Sequence, residues 1–146
     1  MESVMNYLTQ LEQMLESGYR IVSIETYDTD RVAELFTQLS RFSSKAYYLS
    51  TPNTSAYRIG ASHIAIPRTQ KPKDLLEHID GSKHFGVFIL RDFNQALEDK
   101  ENLKLLHKIA SGDTDKVVLL LSESIELPKE LKSFTLRSKH QMKKAV

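Results

Sequence analysis

Glu25, Asp28, Asp30 and Asp92 are the residues of this chain whose type and placement come nearest to chemistry. Two or three carboxylates gathered at the ends of neighbouring strands can hold a magnesium ion, as a nuclease or a phosphoryl-transfer enzyme does. Glu25 follows the apolar run Ile21-Val-Ser-Ile24, and Asp92 follows Gly86-Val-Phe-Ile-Leu-Arg91, so both stand where a strand ends. Ligands of open α/β sheets bind beyond those carboxyl ends. The same residues have a plainer use. Asp28 or Asp30 suits the N-terminus of a helix, as cap and as dipole partner, and Asp92 precedes another helix and can serve it in the same way. No DxD or close carboxylate triad follows the strand that ends at Arg91. Capping is therefore the preferred reading and no metal is assigned. A metal-dependent phosphoryl-transfer centre built on Glu25 and Asp92 stands as an alternative.

Other catalytic chemistry lacks its residues. His63, His78, His84, His107 and His140 form no HxxxH pair, and without cysteine no zinc cluster of ordinary composition can form. His107 shares a helical face with Leu103, Leu106 and Ala110, which predicts a partly buried packing role. Ser122-Glu-Ser124 follows a strand without the flanking glycines of a nucleophile elbow. No catalytic residue is assigned. Phosphate binding is disfavoured as well, because the run Glu25-Thr-Tyr-Asp-Thr-Asp30 occupies the strand-to-helix junction where a phosphate-gripping loop would place GxxxxGK(S/T). That junction holds carboxylates and no lysine, and no glycine lies between Gly18 and Gly60. Neither ATP binding nor any other cofactor is expected.

Tyr47, Tyr48 and Tyr57 with Arg58, Arg68, Lys71 and Lys73 make the one interleaving of aromatic and basic residues. Bases of single-stranded nucleic acid stack on such rings while cations follow the backbone. Tyrosine is also a favoured strand residue in its own right. Twenty basic residues against nineteen acidic ones give a net charge of +1, so no overall field draws the domain to nucleic acid or to an anionic membrane. Protein recognition is the preferred use of Tyr47, Tyr48, Tyr57, Arg58 and Arg68. A nucleic-acid-associated module using Tyr47 to Lys73 is the second reading.

The elements that would position these residues alternate between helix and strand. Val4, Leu8, Leu11 and Leu15 predict a first helix, capped by Ser3 and ended by Gly18. A strand follows from Tyr19 to Glu25, then a helix from about Asp28 that turns Val32, Leu35, Phe36 and Leu39 inward, then a strand from Lys45 to Leu49. Residues Thr51 to Gln70, rich in Ser, Thr, Pro and Asn, predict one or two short edge strands or a hairpin, and the most mobile internal segment. Pro72 opens a helix bearing Leu75, Leu76 and Ile79, which Gly81 ends. Val87 to Leu90 and Val117 to Leu121 are unbroken apolar runs, the pattern of strands covered on both faces. The helical stretch between them breaks near Asp99, and an edge strand around Phe134 and Leu136 closes the pattern.

This succession predicts an α/β fold, with a mainly parallel sheet in a three-layer α/β/α sandwich. A chain of 146 residues is one domain's worth of core, placed at 1–138, with a basic tail at 139–146. The absence of cysteine, of a basic-then-apolar leader and of an apolar run near the ~20 residues a bilayer requires points to the cytoplasm and away from a membrane.

The segments YRIVSIETYDTDRVAELF, FGVFILRDFNQALEDKENLKLLHKIA and KVVLLLSESIELPKELKSFTL together resemble the N-terminal domain of a group of AAA ATPases of the plastid and cyanobacterial type. The positions that carry the resemblance are Glu25-Thr26, Arg91-Asp92-Phe93 and Glu126-Leu127-Pro128-Lys129-Glu130-Leu131. What the resemblance implies is a degenerate P-loop-like fold, lacking Walker A, that precedes an ATPase module. The sequence stops where such a module would begin, so ATP hydrolysis is not carried over. The implied role is a non-catalytic interaction or regulatory domain.

Overall fold

The computed structural model describes residues 4–112 and 116–140. Ser3 and tail residues 141–146 therefore lie outside the described residues. Five helices, α1 (Val4–Leu15), α2 (Thr29–Phe42), α3 (Pro72–Gly81), α4 (Lys100–Ser111) and α5 (Lys129–Lys132), alternate with seven strands. The strands are β1 (Ile21–Thr26), β2 (Tyr47–Ser50), β3 (Tyr57–Arg58), β4 (Ala61–Ala65), β5 (Gly86–Arg91), β6 (Lys116–Ser122) and β7 (Thr135–His140). They form one sheet in the order β4-β3-β2-β5-β6-β1-β7. From β2 to β7 every pairing is parallel, and the β3-β4 hairpin adds two antiparallel strands at the β2 edge.

Helices cover both faces, which explains the composition of the central strands. Every residue of β6 is buried, and only Arg91 of β5 escapes full burial. Alternate side chains go to opposite cores. Val22, Ile24, Ile89 and Leu119 pack with Leu11 of α1 and with Val32, Leu35 and Phe36 of α2. Ile21, Leu90, Val118 and Leu120 pack with Leu75 and Ile79 of α3 and with Leu106 and Ile109 of α4. The architecture is thus a three-layer α/β sandwich on a mostly parallel sheet.

Local signals act where the residue types allow. Gly18 takes a φ of +93° just beyond α1, a conformation that only glycine adopts without strain. Pro72 sits in the first turn of α3, where its missing N–H costs nothing. The stretch Thr51 to Gln70 is a hairpin stitched to the sheet: Thr69 Oγ1, buried, accepts from Ala56 N at 2.8 Å and donates to Ile66 O at 2.8 Å. β7 continues through Lys139 and His140, paired in register with Glu25 and Thr26 of β1.

Lys116, the first residue of β6, is 3% exposed and spans the space to α3, donating to Ile79 O at 2.7 Å and to Asp80 O. A cation there meets the carbonyl end of the helix dipole. Burial pushes its pKa below the usual lysine value, Arg20 and Lys108 add to the shift, and Asp80 opposes it.

Candidate functional site

The four acidic positions lie around the carboxyl ends of β1 and β5, and each is engaged by the fold. Glu25 lies in register with Ser122 of β6 on one side and Lys139 of β7 on the other. Its Oε2 accepts from Ile125 N at 2.8 Å and its Oε1 is 3.9 Å from Lys139 Nζ. The carboxylate thereby anchors the connection that leaves β6. Asp28 is the N-cap of α2, with Oδ1 accepting from Arg31 N at 3.1 Å, while its own N–H donates to Thr26 Oγ1 at 3.2 Å. One of the otherwise orphaned donors at the helix start is thus satisfied by a side chain. Asp30, in the first turn of α2, accepts from Arg91 at 2.6 Å, and the same guanidinium nitrogen donates to Thr29 Oγ1 at 2.9 Å. Arg91 is the latch between the end of β5 and the start of α2.

Asp92 corrects the sequence expectation that it caps a helix. Its backbone is left-handed, with φ of +53°, whereas capping needs a residue that leads into a helix from the extended region. The turn aims Asp92 back at β6: its N–H donates to Leu121 O at 3.0 Å and its Oδ1 accepts from Ser122 Oγ at 3.3 Å. The segment then forms a single 3-10 turn, Gln95–Glu98, and Asp99 caps α4 by accepting from Glu101 N at 2.8 Å. Among the described residues no group of three His, Cys, Asp or Glu side chains is disposed to hold a metal ion.

The tyrosine-bearing surface divides. Tyr47 is 1% exposed and meets Phe36 of α2 edge to face at 6.3 Å, so it is a core residue and not part of any surface. The reason is strand alternation: Tyr47 points to the α1 and α2 side, and Tyr48 to the other, where it stacks on Phe88 at 4.7 Å. Tyr48 and Tyr57 are half-buried, whereas Arg58 and Arg68 are exposed, Arg68 with a φ of +55°. The sequence expectation for His107 also needs correction. It is exposed, although its ring lies edge-on against Phe134 at 4.9 Å. The face shared with Leu103 and Ala110 is the flank of α4, not its centre.

Sequence reasoning missed a cavity of about 300 Å³ beyond the ends of β2 and β5, between the starts of α3 and α4. Ser50, Asn53, Leu75, Arg91, Phe93 and Asn102 are among its lining. The signal for Asn102 was present: it stands four residues before Leu106 and seven before Ile109, on the buried stripe of α4. A polar residue on an apolar stripe calls for a hydrogen-bond account. Asn102 Nδ2 donates to Ala96 O at 3.0 Å, and its Oδ1 is buried without a partner.

Comparison with curated proteins gives no match. The model of the family described as SpoVK-like AAA ATPase, N-terminal domain, matches residues 7–139, which takes in α2, all seven strands up to Lys139 and every site residue above. The chain belongs to the family of SpoVK-like AAA ATPase N-terminal domains.

Proposed function

We propose that this domain is a non-catalytic interaction or regulatory module, built on a P-loop-like core whose phosphate grip is gone. One observation carries the reading: the junction between β1 and α2 is filled by its own carboxylates. Asp28 occupies the helix start, Asp30 binds the guanidinium of Arg91, and Glu25 is the penultimate residue of the strand. A phosphate entering there would meet three negative side chains and no glycine-rich backbone. The partner is a protein, met in part through the exposed Arg58 and Arg68 on the hairpin side of the sheet. No described helix is long and apolar enough to cross a membrane. The proposed compartment is the cytoplasm, consistent with a chain that contains no cysteine.

Thermal melting with ATP, ADP or GTP and magnesium tests this reading. A ligand at about 100 times its dissociation constant stabilises a fold by about 2.7 kcal/mol, so binding would raise the melting temperature by several degrees. No change is expected at millimolar nucleotide. A rise of several degrees would overturn the proposal, and a shift with magnesium alone that Asp92→Asn abolishes would favour metal-dependent chemistry.

A further inference from the structure

The two rims of the sheet differ in charge. β4, at one end, carries no Lys, Arg, Asp or Glu, whereas β7, at the other, carries Arg137 and Lys139. Among the described strands β7 pairs only with β1, so the backbone N–H and C=O groups along its outer rim have no strand to bond. Arg137 and Lys139 stand in register with Ser23 and Glu25 of β1, on the face that Ile21 turns to the core under α3 and α4. At this corner α5 and the connection before it leave a groove of about 760 Å³, lined by no described residue of α3 or α4. Its charges are unbalanced. Lys132, Arg137 and Lys139 line it with Glu25 and Glu126, and Glu25 already accepts from Ile125 N at 2.8 Å. Among the described residues the side chains of Lys132 and Arg137 have neither a hydrogen-bond nor an ion-pair partner, and Lys139, 76% exposed, reaches Glu25 only at 3.9 Å. In a chain of net charge +1, weakly engaged cations beside an unpaired strand rim are a local concentration.

We infer that the outer rim of β7 receives an acidic extended segment of a partner protein, which adds a strand to the sheet and sets alternate carboxylates beside Arg137 and Lys139. The inference rests on the reading of the domain as a protein-interaction module and gives it a second surface, at the opposite end of the sheet from Arg58 in β3. Backbone and side chains both select this occupant. The rim needs N–H and C=O partners, which a peptide supplies and a phosphate chain or a lipid surface does not. Residues two apart on a strand share a face at about 7 Å, so glutamates at alternate positions of an added strand match the spacing of Arg137 and Lys139. Charge excludes two other occupants. A second copy of this chain, pairing β7 with β7, would set cation against cation, and a basic segment would do the same.

The test is a nuclear magnetic resonance titration of the whole chain with a capped peptide alternating glutamate and threonine, about eight residues long so as to span β7. Its controls are the same peptide with lysine for glutamate, the same peptide N-methylated along its backbone, and a single-stranded oligonucleotide. Saturable shifts are expected at the backbone amides of Thr135 to Lys139, with a dissociation constant of about 0.1–1 mM for a segment that must be ordered on binding. Arg137→Glu with Lys139→Glu should weaken binding about 10-fold, and raising the salt from about 0.05 to 0.5 M should weaken it as well. If that double variant fails to fold, Arg137→Gln with Lys139→Gln decides. Arg58→Glu with Arg68→Glu, away from the β7 rim, should leave binding unchanged. The inference is overturned by a lack of saturable shifts, by equal binding of the lysine or the N-methylated peptide, by displacement of the peptide by the oligonucleotide, or by insensitivity to the Arg137 and Lys139 variants. No peptide binding together with unchanged melting in nucleotide removes this site and leaves the non-catalytic reading, whereas a nucleotide-dependent rise in melting temperature removes that reading itself.

Discussion

Replacing Leu119 with alanine probes the packing on which every strand-end residue depends. Leu119 is fully buried at the middle of β6, opposite Ile89 of β5 and Val22 of β1, beneath α1 and α2. The substitution deletes three carbons, which at about 0.8 kcal/mol per buried carbon removes about 2.4 kcal/mol of transfer free energy. The backbone around it is hydrogen-bonded on both sides, so the site cannot collapse fully. A residual void of about 60 Å³, at about 24 cal/mol per Å³, adds about 1.4 kcal/mol. The expected loss is about 4 kcal/mol, or about 8–16 °C in melting temperature for a domain of this size. Urea unfolding followed by circular dichroism measures it, and the midpoint should fall with no change in slope, since the surface exposed on unfolding is unaltered. A loss below about 1.5 kcal/mol would refute the reasoning, because it would mean that the centre of the sheet repacks freely. A changed slope would mean that the substitution alters a partly folded state instead.

The strand-end carboxylates separate by geometry. Asp28→Ala should cost about 1 kcal/mol through the lost cap, whereas Asp30→Ala, at a side chain 88% exposed, should cost less than about 1 kcal/mol despite its 2.6 Å ion pair. Equal and large losses in urea unfolding would contradict this ranking. At Asp92 the left-handed backbone governs: Asn tolerates it and should change stability by less than about 0.5 kcal/mol, while the β-branched Val should lose about 2 kcal/mol. A tolerated valine would show that φ is not held positive. Tyr47 should be the last tyrosine to ionise, since burial above all, with Glu12 and Glu16 adding and Ser43 opposing, raises its pKa above 10.0. The folded state then holds a proton that the unfolded state releases, so this contribution to stability is complete below pH 10 and fades as pH rises beyond it. Ultraviolet titration with circular dichroism checks it, and ionisation of every tyrosine at ordinary pH with the fold intact would refute it.

Periodicity made most of the framework legible. The apolar runs that became β5 and β6 could only be strands covered on both faces, and the i, i+3, i+4 spacing of Val32, Leu35, Phe36 and Leu39 could only bury one side of a helix. Asp28 and Asp99 acted as helix caps because capping is decided within a few residues of chain. The family segments were legible for the same reason, each being a strand end and the helix start that follows it.

Tertiary structure decided what depends on neighbours distant in sequence. Tyr47 and Tyr48 are adjacent and chemically identical, yet one is sealed beneath α2 and the other stacks on Phe88, because pleating sends successive side chains to faces with different cover. Asp92 looked like a cap until the chain turned left-handed to reach Leu121 and Ser122, about 30 residues away in sequence and adjacent only through the β5-β6 pairing. Arg91, too, finds Thr29 and Asp30 only because parallel strands bring their carboxyl ends to one edge. The cavity has no sequence motif, since Ser50, Leu75, Arg91 and Asn102 meet there from four separate elements. By itself the sequence determined which segments are helix or strand and which faces must be dry. Only the packed sheet decided which polar groups met a partner and which, like Arg91 Nε and Asn102 Oδ1, were left without one, because burial and pairing are properties of the three-dimensional neighbourhood and not of the chain.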